Sequence, residues 1–461
     1  MKRNLTTGPI GSSMIAFTLP LMLSGLLQQL YNWADALIVG NYIGEAALAA
    51  VGSTSSFVNL LLSLISGFMV GVSILVARAY GADDQYTVRR TLWMFVVIMG
   101  SLSLVLAVLG VWLTPSALVW LGTPADIEDL AGTYLRVVML GIPFMAIYNV
   151  YNAVLRGIGD SKAPLMAIVL SSLCNVGLTL FFVNSLDLGV GGAAWATIAS
   201  QAAMAVYVIL YAWYRYPQLR VNLVGEMRQG TLFERTLLFS GLRMSLPTAI
   251  QAIMRQFGNV LLQNIMNSFG STTVVAITSA YRLDTIGILP VSNMGTGIST
   301  FTAQNHGAKQ YGRMRRGLMI GIALSLGVAF AITAAMVLIS SDLLGIFGLS
   351  PETITIGHNF LVRLAAFYPV YALQNALSGY LAGLGDVAFT STVSITTLAI
   401  RIIYSFFMAP YQGNMVVAYA ESVAWCCHLI LVVARVWMWW QKWKREGIST
   451  TDIQTIDEAN A

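Results

Sequence analysis

The sequence has too few charged residues to cover the surface of a water-soluble protein of its size. Charged residues make up 10% of the 461 positions and hydrophobic residues 57%, whereas a typical soluble domain has about 25% charged residues. Cysteine is also scarce, and the three copies lie inside apolar stretches. These shortages exclude a soluble globular protein and a disulfide-bonded scaffold.

Histidine is equally rare, and the common catalytic motifs are absent. The chain has three histidines, which are not clustered, and it has neither an HExxH segment nor the GxSxG turn of serine hydrolases. We therefore expect no bound metal, no cofactor and no enzymatic activity.

Long apolar runs are what the sequence does contain, and they predict membrane-spanning helices. A spanning helix needs about 20 mostly apolar residues. The runs predict an all-α integral membrane protein with twelve transmembrane helices. The predicted spans are 14–39, 52–79, 91–113, 130–156, 163–185, 189–214, 240–267, 273–304, 316–345, 355–382, 388–411 and 413–440.

Basic and acidic residues alternate between successive loops, which predicts the orientation of the chain. Loops rich in Lys and Arg remain on the cytoplasmic side of a membrane. This rule places both termini and the long middle loop in the cytoplasm. The basic loops contain Lys2/Arg3, Arg78/Arg89/Arg90, Arg156/Lys162, Arg215/Arg220/Arg228/Arg235, Lys309/Arg313/Arg315/Arg316 and Lys442/Lys444/Arg445; the acidic loops contain Glu45, Asp126/Glu128/Asp129, Asp187 and Asp342/Glu352.

Two segments of the sequence recur at one fixed distance. GVSILVARAYGADDQYTVRR begins at Gly71 and GISTFTAQNHGAKQYGRMRR at Gly297, which is 226 positions later (297 − 71). LRGIGD at Leu155 and LAGLGD at Leu381 are also 226 positions apart. The shared offset indicates a duplication with six helices in each half.

The duplication predicts the domain organisation. The expected parts are a first lobe at 1–214, a cytoplasmic linker at 215–239, a second lobe at 240–443 and a cytoplasmic tail at 444–461. Because six is an even number, both halves enter the membrane from the same side and are parallel repeats. In transporters of this kind, the substrate site lies between or within the bundles, and rocking of the bundles gives alternating access.

Four segments of the sequence closely resemble the multidrug and toxic compound extrusion (MATE) family. Their order and repetition extend over nearly the whole chain. The resemblance implies a fold of two six-helix lobes and efflux of organic compounds driven by H⁺ or Na⁺. The segments are LPLMLSGLLQQLYNWADALIVG, VLRGIGDSKAP, GVGGAAWATIASQ and SAYRLDTIGILPVSNMGTGISTFTAQNHGA.

Asp35 is an acidic residue inside the first predicted span. A charge in this position costs about 2.5–3.5 kcal/mol on insertion scales, so it is a functional candidate by default. Gln28, Tyr31 and Asn32 lie on the same helical face and are candidates for the lining of a substrate cavity. Pro20 permits a bend in this helix. In the MATE family, an acid and a proline with this spacing are linked to cation coupling and helix bending; the alternative is that Asp35 is a hydrogen-bonded structural residue.

The resemblance also implies a cation site on the fifth and sixth spans. Asn175 matches the first residue of the Asn-x-x-x-Asp pattern found in one branch of the family, but Thr179 replaces the second Asp. Thr197 matches a threonine in the sixth span of that branch. Together with Asp35, these side chains offer oxygen ligands, which hard cations prefer. For Asn175, hydrogen bonding in the protein core is the alternative role.

The second half has no acid that corresponds to Asp35, and its polar residues predict a different lining. Gln251, Arg255 and Asn259 follow each other at four-residue intervals in the seventh span, and Asp284 lies at a similar depth in the eighth. Because charges inside a membrane usually pair, we predict an Arg255–Asp284 pair.

Glu421 and Arg401 lie at matched depth on the last two spans and predict a second pair. These four charged side chains either stabilise the second lobe or line the substrate cavity. In a cavity, Arg255 suits a substrate with a carboxylate or a phosphate group.

Together, these features predict a secondary antiporter that exports small molecules across the cytoplasmic (inner) membrane. We expect it to be a monomer in contact with the lipid bilayer, with no nucleic-acid partner. A flippase for a lipid-linked precursor is the first alternative, which Arg255 favours, and a membrane-embedded enzyme is a more remote one. The choice between H⁺ and Na⁺ and the charge of the substrate stay open.

Overall fold

The computed structural model describes residues 5–220 and 234–447 of the chain. Part of the predicted linker 215–239, including Arg228, lies outside the described residues. The same holds for the predicted tail beyond residue 447 and for Lys2 and Arg3 at the start of the chain.

Helices make up nearly all of the described chain, which contains no β-strand. Short π-helical turns continue α1 over Val39–Ile43 and α5 over Phe181–Ser185. The α-helices are α1 Ile10–Ile38, α2 Glu45–Gly81, α3 Gln85–Trp120, α4 Glu128–Gly157, α5 Lys162–Leu180, α6 Gly189–Arg215, α7 Arg235–Asn267, α8 Ser271–Gly307, α9 Tyr311–Gly345, α10 Pro351–Ala365, α11 Tyr368–Gly383, α12 Val387–Gln412 and α13 Val416–Arg445.

These helices give the twelve crossings that the sequence predicts. Ten stretches of the described chain are long and apolar enough to span a membrane, and the longest, Val387–Arg445, contains both α12 and α13. The remaining crossing is divided into α10 and α11, each of which is too short to span on its own. The prediction of an all-α, twelve-helix membrane protein is confirmed.

Pro369 explains why the tenth crossing consists of two helices. A proline inside a helix has no N–H to donate to the carbonyl four residues earlier, and that carbonyl belongs to Ala365, the last residue of α10. The hydroxyl of Thr333 on α9 donates to this oxygen instead, at 2.9 Å. The break therefore leaves no unsatisfied carbonyl at Ala365 in the membrane interior, where such a group is costly.

Each half has its own apolar core. In the first half, α4 packs against α2, α3 and α6, and its buried side chains include Leu135, Met139 and Leu155. In the second half, α8 packs against α9, α10 and α11, with Phe360 and Tyr368 among the buried side chains.

The described chain forms two compact units that divide α1 and α7 between them. One unit contains the chain up to Met22 and from Ile250 onward, and the other extends from Leu23 to Ala249. Each of these two helices therefore begins in one unit and ends in the other. The two units therefore do not coincide with the two halves of the sequence. The predicted lobes at 1–214 and 240–443 describe the repeated halves of the sequence, and their boundaries stay a prediction.

Two equivalent glycines allow the first part of α1 and the first part of α7 to pack closely against a neighbouring helix of their own unit. A Cβ atom on Gly71 of α2 would collide with the backbone of α7 at Met244, and one on Gly297 of α8 would collide with Thr18 of α1. The two glycines are the first residues of the repeated segment found in the sequence. The duplication is therefore visible in the packing as well as in the motifs.

The glycines of the LRGIGD and LAGLGD segments have two different roles. Gly159 and Gly385 have φ angles of 88° and 89°, a conformation that favours glycine, so they are turn residues. Gly157 and Gly383 are the last residues of α4 and α11, and each lies against a backbone oxygen of a neighbouring helix, that of Ser73 or Ser299.

The aspartate at the end of each repeated segment anchors the last helix of its half. Asp160 accepts hydrogen bonds from the hydroxyls of Tyr211 and Tyr216 at 2.8 and 2.7 Å. Asp386 binds Arg435 Nε at 2.6 Å and Trp439 Nε1 at 3.0 Å. One repeated carboxylate thus has neutral partners in the first half and a cationic partner in the second.

We predict that Asp386→Asn destabilises the protein by about 1–3 kcal/mol, because it leaves the Arg435 guanidinium without its anionic partner. Thermal unfolding of the detergent-purified protein measures this effect. Asp342→Asn, at an exposed acidic position near the end of α9, is the matched control and should unfold like the wild type. Equal melting temperatures for both variants and the wild type would contradict the anchoring role of Asp386.

Candidate functional site

Asp35 is partly buried near the end of α1, and one of its carboxylate oxygens lacks a hydrogen-bond partner. Oδ1 is enclosed by protein and accepts no hydrogen bond from the described residues. A carboxylate in such surroundings is costly unless a proton or a cation neutralises it. The position therefore fits the cation-coupling role predicted for Asp35.

Asn175, Thr179 and Thr197 form a buried polar cluster between α5 and α6. Asn175 Nδ2 donates to Thr197 Oγ1 at 3.4 Å, and Thr179 Oγ1 donates to Asn175 Oδ1 at 3.5 Å. Asn175 and Thr179 are fully buried. The three residues proposed from the family pattern lie together, and their role in cation binding stays a prediction.

Tyr31 connects this cluster to Asp35. Its hydroxyl lies within hydrogen-bonding reach of Thr197 and Ser200 on α6, and its ring lies close enough to Asp35 for an electrostatic interaction. Tyr134 on α4 is a further neighbour of Asp35. Sequence analysis missed Ser200 and Tyr134: Ser200 could have been found from its position one helical turn after Thr197, whereas no sequence signal points to Tyr134.

Two of the candidate cavity residues on α1 form an exposed polar face of the helix. Gln28 and Asn32 are exposed, whereas Leu30 and Leu37 form a second exposed face of the same helix. A separation of two residues corresponds to a rotation of about 200° around the helix axis, so Gln28 and Leu30 point in nearly opposite directions. In a bilayer, the leucine face suits the lipid and the glutamine face suits water.

The seventh crossing has the same division into two exposed faces. Arg255 and Asn259 on α7 are exposed, and Gln251 is partly exposed. Phe257 and Val260 are exposed on the other side of the helix. Because an arginine that faces lipid is very costly, Arg255 is expected to face an aqueous space.

Asp284 does not pair with Arg255, so that prediction is wrong. Asp284 is 4% exposed and accepts a hydrogen bond of 2.7 Å from the hydroxyl of Tyr368. The nearby positive charge is Arg401, and the described residues contain no ion pair between Arg255 and Asp284. The physical reason is that the two side chains point to different places. Asp284 points into its own helix bundle, whereas Arg255 lies exposed on α7 with Tyr371 as a neighbour.

The predicted pair of Arg401 and Glu421 is confirmed. Arg401 Nη2 lies 2.8 Å from Glu421 Oε2 and also donates to the hydroxyl of Tyr281 at 2.8 Å. The Tyr281 hydroxyl in turn donates to Glu421 Oε2 at 3.1 Å. Three residues on α8, α12 and α13, with Asp284 close by, therefore form one charged network in the second half.

His428 on α13 is a buried residue that sequence analysis did not single out. Its Nε2 lies 3.0 Å from Ser378 Oγ on α11, and its Nδ1 lies 3.5 Å from Thr397 Oγ1 on α12. It occupies the same face of α13 as Glu421 and Arg435, at intervals of seven residues. That spacing was the signal that could have found it.

Comparison with models of protein families identifies the family of the chain. A family model described as MatE matches residues 20–181 and 247–407. The chain belongs to the MatE family. The two matched segments begin 227 positions apart (247 − 20), which confirms the internal repeat seen in the sequence.

Similar proteins extend over most of this MatE chain. A probable multidrug resistance protein of Bacillus subtilis, YoeA, is 26% identical over 93% of this chain and 94% of its own length. The multidrug export protein MepA of Staphylococcus aureus is 24% identical over 74% of both chains. The chain is therefore a multi-pass membrane protein of a transporter family.

Solved structures show the same fold. An outward-facing multidrug resistance MATE family transporter matches with a TM-score of 0.86 and 22% identity, covering 98% of this chain and 99% of that one. A transporter of the MOP superfamily from Pyrococcus furiosus, described as having a binding pocket of reversed polarity, matches with a TM-score of 0.85 and 23% identity over 94% and 98%. At this identity, the likeness establishes the MatE fold of the chain.

We predict that Asn175→Leu lowers efflux at least about tenfold while changing thermal stability little. The hydrogen bonds of Asn175 are 3.4 and 3.5 Å long, near the upper limit for such bonds, and bonds of this kind in membranes average about 0.6 kcal/mol. Dye efflux from cells and melting of the purified protein measure the two effects. Cys174→Ser, on the same helix, is the control; a large loss of stability in Asn175→Leu would indicate a structural role instead.

Proposed function

We propose that this protein is a secondary antiporter that exports organic small molecules across the cytoplasmic membrane in exchange for H⁺ or Na⁺. The observation that carries the proposal is Asp35, a membrane-embedded acid with an unsatisfied oxygen. Its neighbour Tyr31 reaches the cluster of buried polar side chains through Thr197. The relatives described as multidrug resistance or export proteins support the export of organic compounds.

Binding of the coupling ion would neutralise Asp35. A membrane potential supplies about 2.3 kcal/mol per charge per 100 mV, which is enough for about fiftyfold accumulation of substrate. In the sodium case, Asn175, Thr179 and Thr197 supply further oxygen ligands. In the proton case, Thr197 and Ser200 orient Tyr31 near the carboxyl group.

Pro20 gives α1 a means of responding to this change in charge. The helix passes from one compact unit to the other between Met22 and Leu23, two residues after the proline. Because Pro20 cannot donate a backbone hydrogen bond, bending at this position costs less than in an uninterrupted helix. Such a bend would redirect the segment that contains Asp35.

The setting of the proposed transporter follows from its charge pattern. The basic loops favour an orientation with both termini on the cytoplasmic side of the inner membrane. The transported molecule is the proposed partner, with the monomer as the functional form. The chain requires no cofactor other than the coupling ion, and transport rather than catalysis is its activity.

A second candidate is the export or flipping of anionic molecules, including lipid-linked precursors. The exposed Arg255, which has no described acidic partner, favours this reading. A guanidinium in an aqueous space binds carboxylate and phosphate groups through paired hydrogen bonds. Loss of anionic-dye efflux in Arg255→Gln, with cationic-dye efflux unchanged, would support this candidate over general multidrug export.

We predict that Asp35→Asn abolishes efflux of a cationic dye and of a fluoroquinolone from a pump-deficient bacterium, because asparagine cannot alternate between charged and neutral forms. Glu45→Gln, an exposed acidic residue at the start of α2, is the matched control at equal expression and should export normally. Equal efflux by Asp35→Asn and the wild type would remove Asp35 from the mechanism. Failure of the wild type to export either compound would favour anionic or lipid-linked substrates.

A further inference from the structure

From the charges in the second half we infer that Asp284 is a second proton-binding group, separate from Asp35, which takes up and releases a proton while Glu421 stays paired with Arg401. This inference deepens the proposed exchange function and rests on it.

The charged network of the second half contains more acidic than basic groups. Two carboxyl groups, Asp284 and Glu421, lie near one guanidinium, that of Arg401. If both acids were ionised, the interior of the bundle would contain an uncompensated negative charge, which is costly in a membrane. One proton removes that charge.

Geometry decides which of the two acids holds the proton. Glu421 has the direct ion pair with Arg401 at 2.8 Å and accepts a further hydrogen bond from Tyr281, so its charge is compensated. Asp284 is 4% exposed, and its described hydrogen bond comes from the neutral hydroxyl of Tyr368. Asp284 is therefore the group without a counter-ion of its own.

The other helices packed against α8 add no charge that would compensate Asp284. The part of α9 between Arg316 and Asp342 contains no charged residue. On α10, Arg363 lies over the ring of Tyr419, and His358 bonds to Ser340.

On α11, the titratable neighbours of Asp284 are the tyrosines Tyr368 and Tyr371. The charged groups that act on Asp284 are Glu421, which repels it, and Arg401, which attracts it. Among Asp284 and the charged groups that act on it, two acids therefore face one base.

Hydrogen-bonding side chains on α11 extend from Asp284 along the bundle. Tyr368, Tyr371 and Ser378 follow one face of the helix. Tyr371 is bonded to Ser292 at 2.8 Å, and Ser378 is bonded to His428 at 3.0 Å. Tyr368 is therefore the group on this face that bonds directly to Asp284, and further polar side chains lie beyond it.

The test uses the proton itself as the ligand. Infrared difference spectra of the purified full-length protein, recorded in lipid without substrate between about pH 5 and pH 9, report carboxyl groups that lose a proton. We expect Asp35→Asn and Asp284→Asn each to remove a different carboxyl band. Asp284→Glu should retain a shifted band, which controls for misfolding.

Glu421→Gln is the decisive variant, because it leaves Asp284 in place but removes the competing acid. Arg401 is then free to compensate Asp284, which should stay ionised across the whole range, so the Asp284 band should disappear. A purely structural role of the network predicts no such loss. Persistence of the band in Glu421→Gln, or a spectrum of Asp284→Asn equal to that of the wild type, would overturn the inference.

These outcomes are distinguishable from failure of the proposed function. The spectra need no transported molecule, so the Asp284 band remains measurable even if the protein exports neither of the test compounds. Conversely, normal Asp35-dependent efflux without an Asp284 band would retain the proposed antiport and remove the second proton site.

Discussion

The cost of placing a polar group in the hydrocarbon interior of a membrane governs this structure. It explains why the described chain is almost entirely helical, since a helix satisfies its own backbone. It explains why Thr333 bonds to the Ala365 carbonyl that Pro369 leaves without a donor. It also explains why leucine and glutamine occupy opposite exposed faces of α1. The few polar side chains in the membrane are therefore informative, because each needs a partner or a function.

Duplication produced two halves with one architecture and different chemistry. The close-packing glycines and the anchoring aspartates recur at the same offset. The acids in the membrane do not recur: Asp35 in the first half lies near neutral oxygens and hydroxyls, whereas Asp284 in the second half shares a network with an arginine and a glutamate. Equivalent scaffolds therefore place their membrane-embedded acids in two different chemical environments.

The sequence predicted those features that depend on spacing along one chain. Apolar runs predicted the twelve crossings, the repeat offset predicted the duplication, and matched depth predicted the Arg401–Glu421 pair. Spacing along one chain could not predict which faces of neighbouring helices contact each other. Asp284 and Arg255 lie at similar depths, but depth does not specify which helical faces meet, and the Asp284–Tyr368 contact depends on where the Pro369 break positions α11. Tyr134 was missed for the same reason, whereas His428 was missed although its spacing from Glu421 and Arg435 along α13 is visible in the sequence.

The proposed antiport requires that an ion gradient drives the movement of an organic substrate through this protein. The most direct measurement is ethidium transport into liposomes that contain only the purified protein, with an imposed H⁺ or Na⁺ gradient and no membrane voltage. We predict that one of these gradients raises the internal ethidium concentration above the external one. Equalisation of ethidium to the same concentration on both sides under either gradient would contradict it.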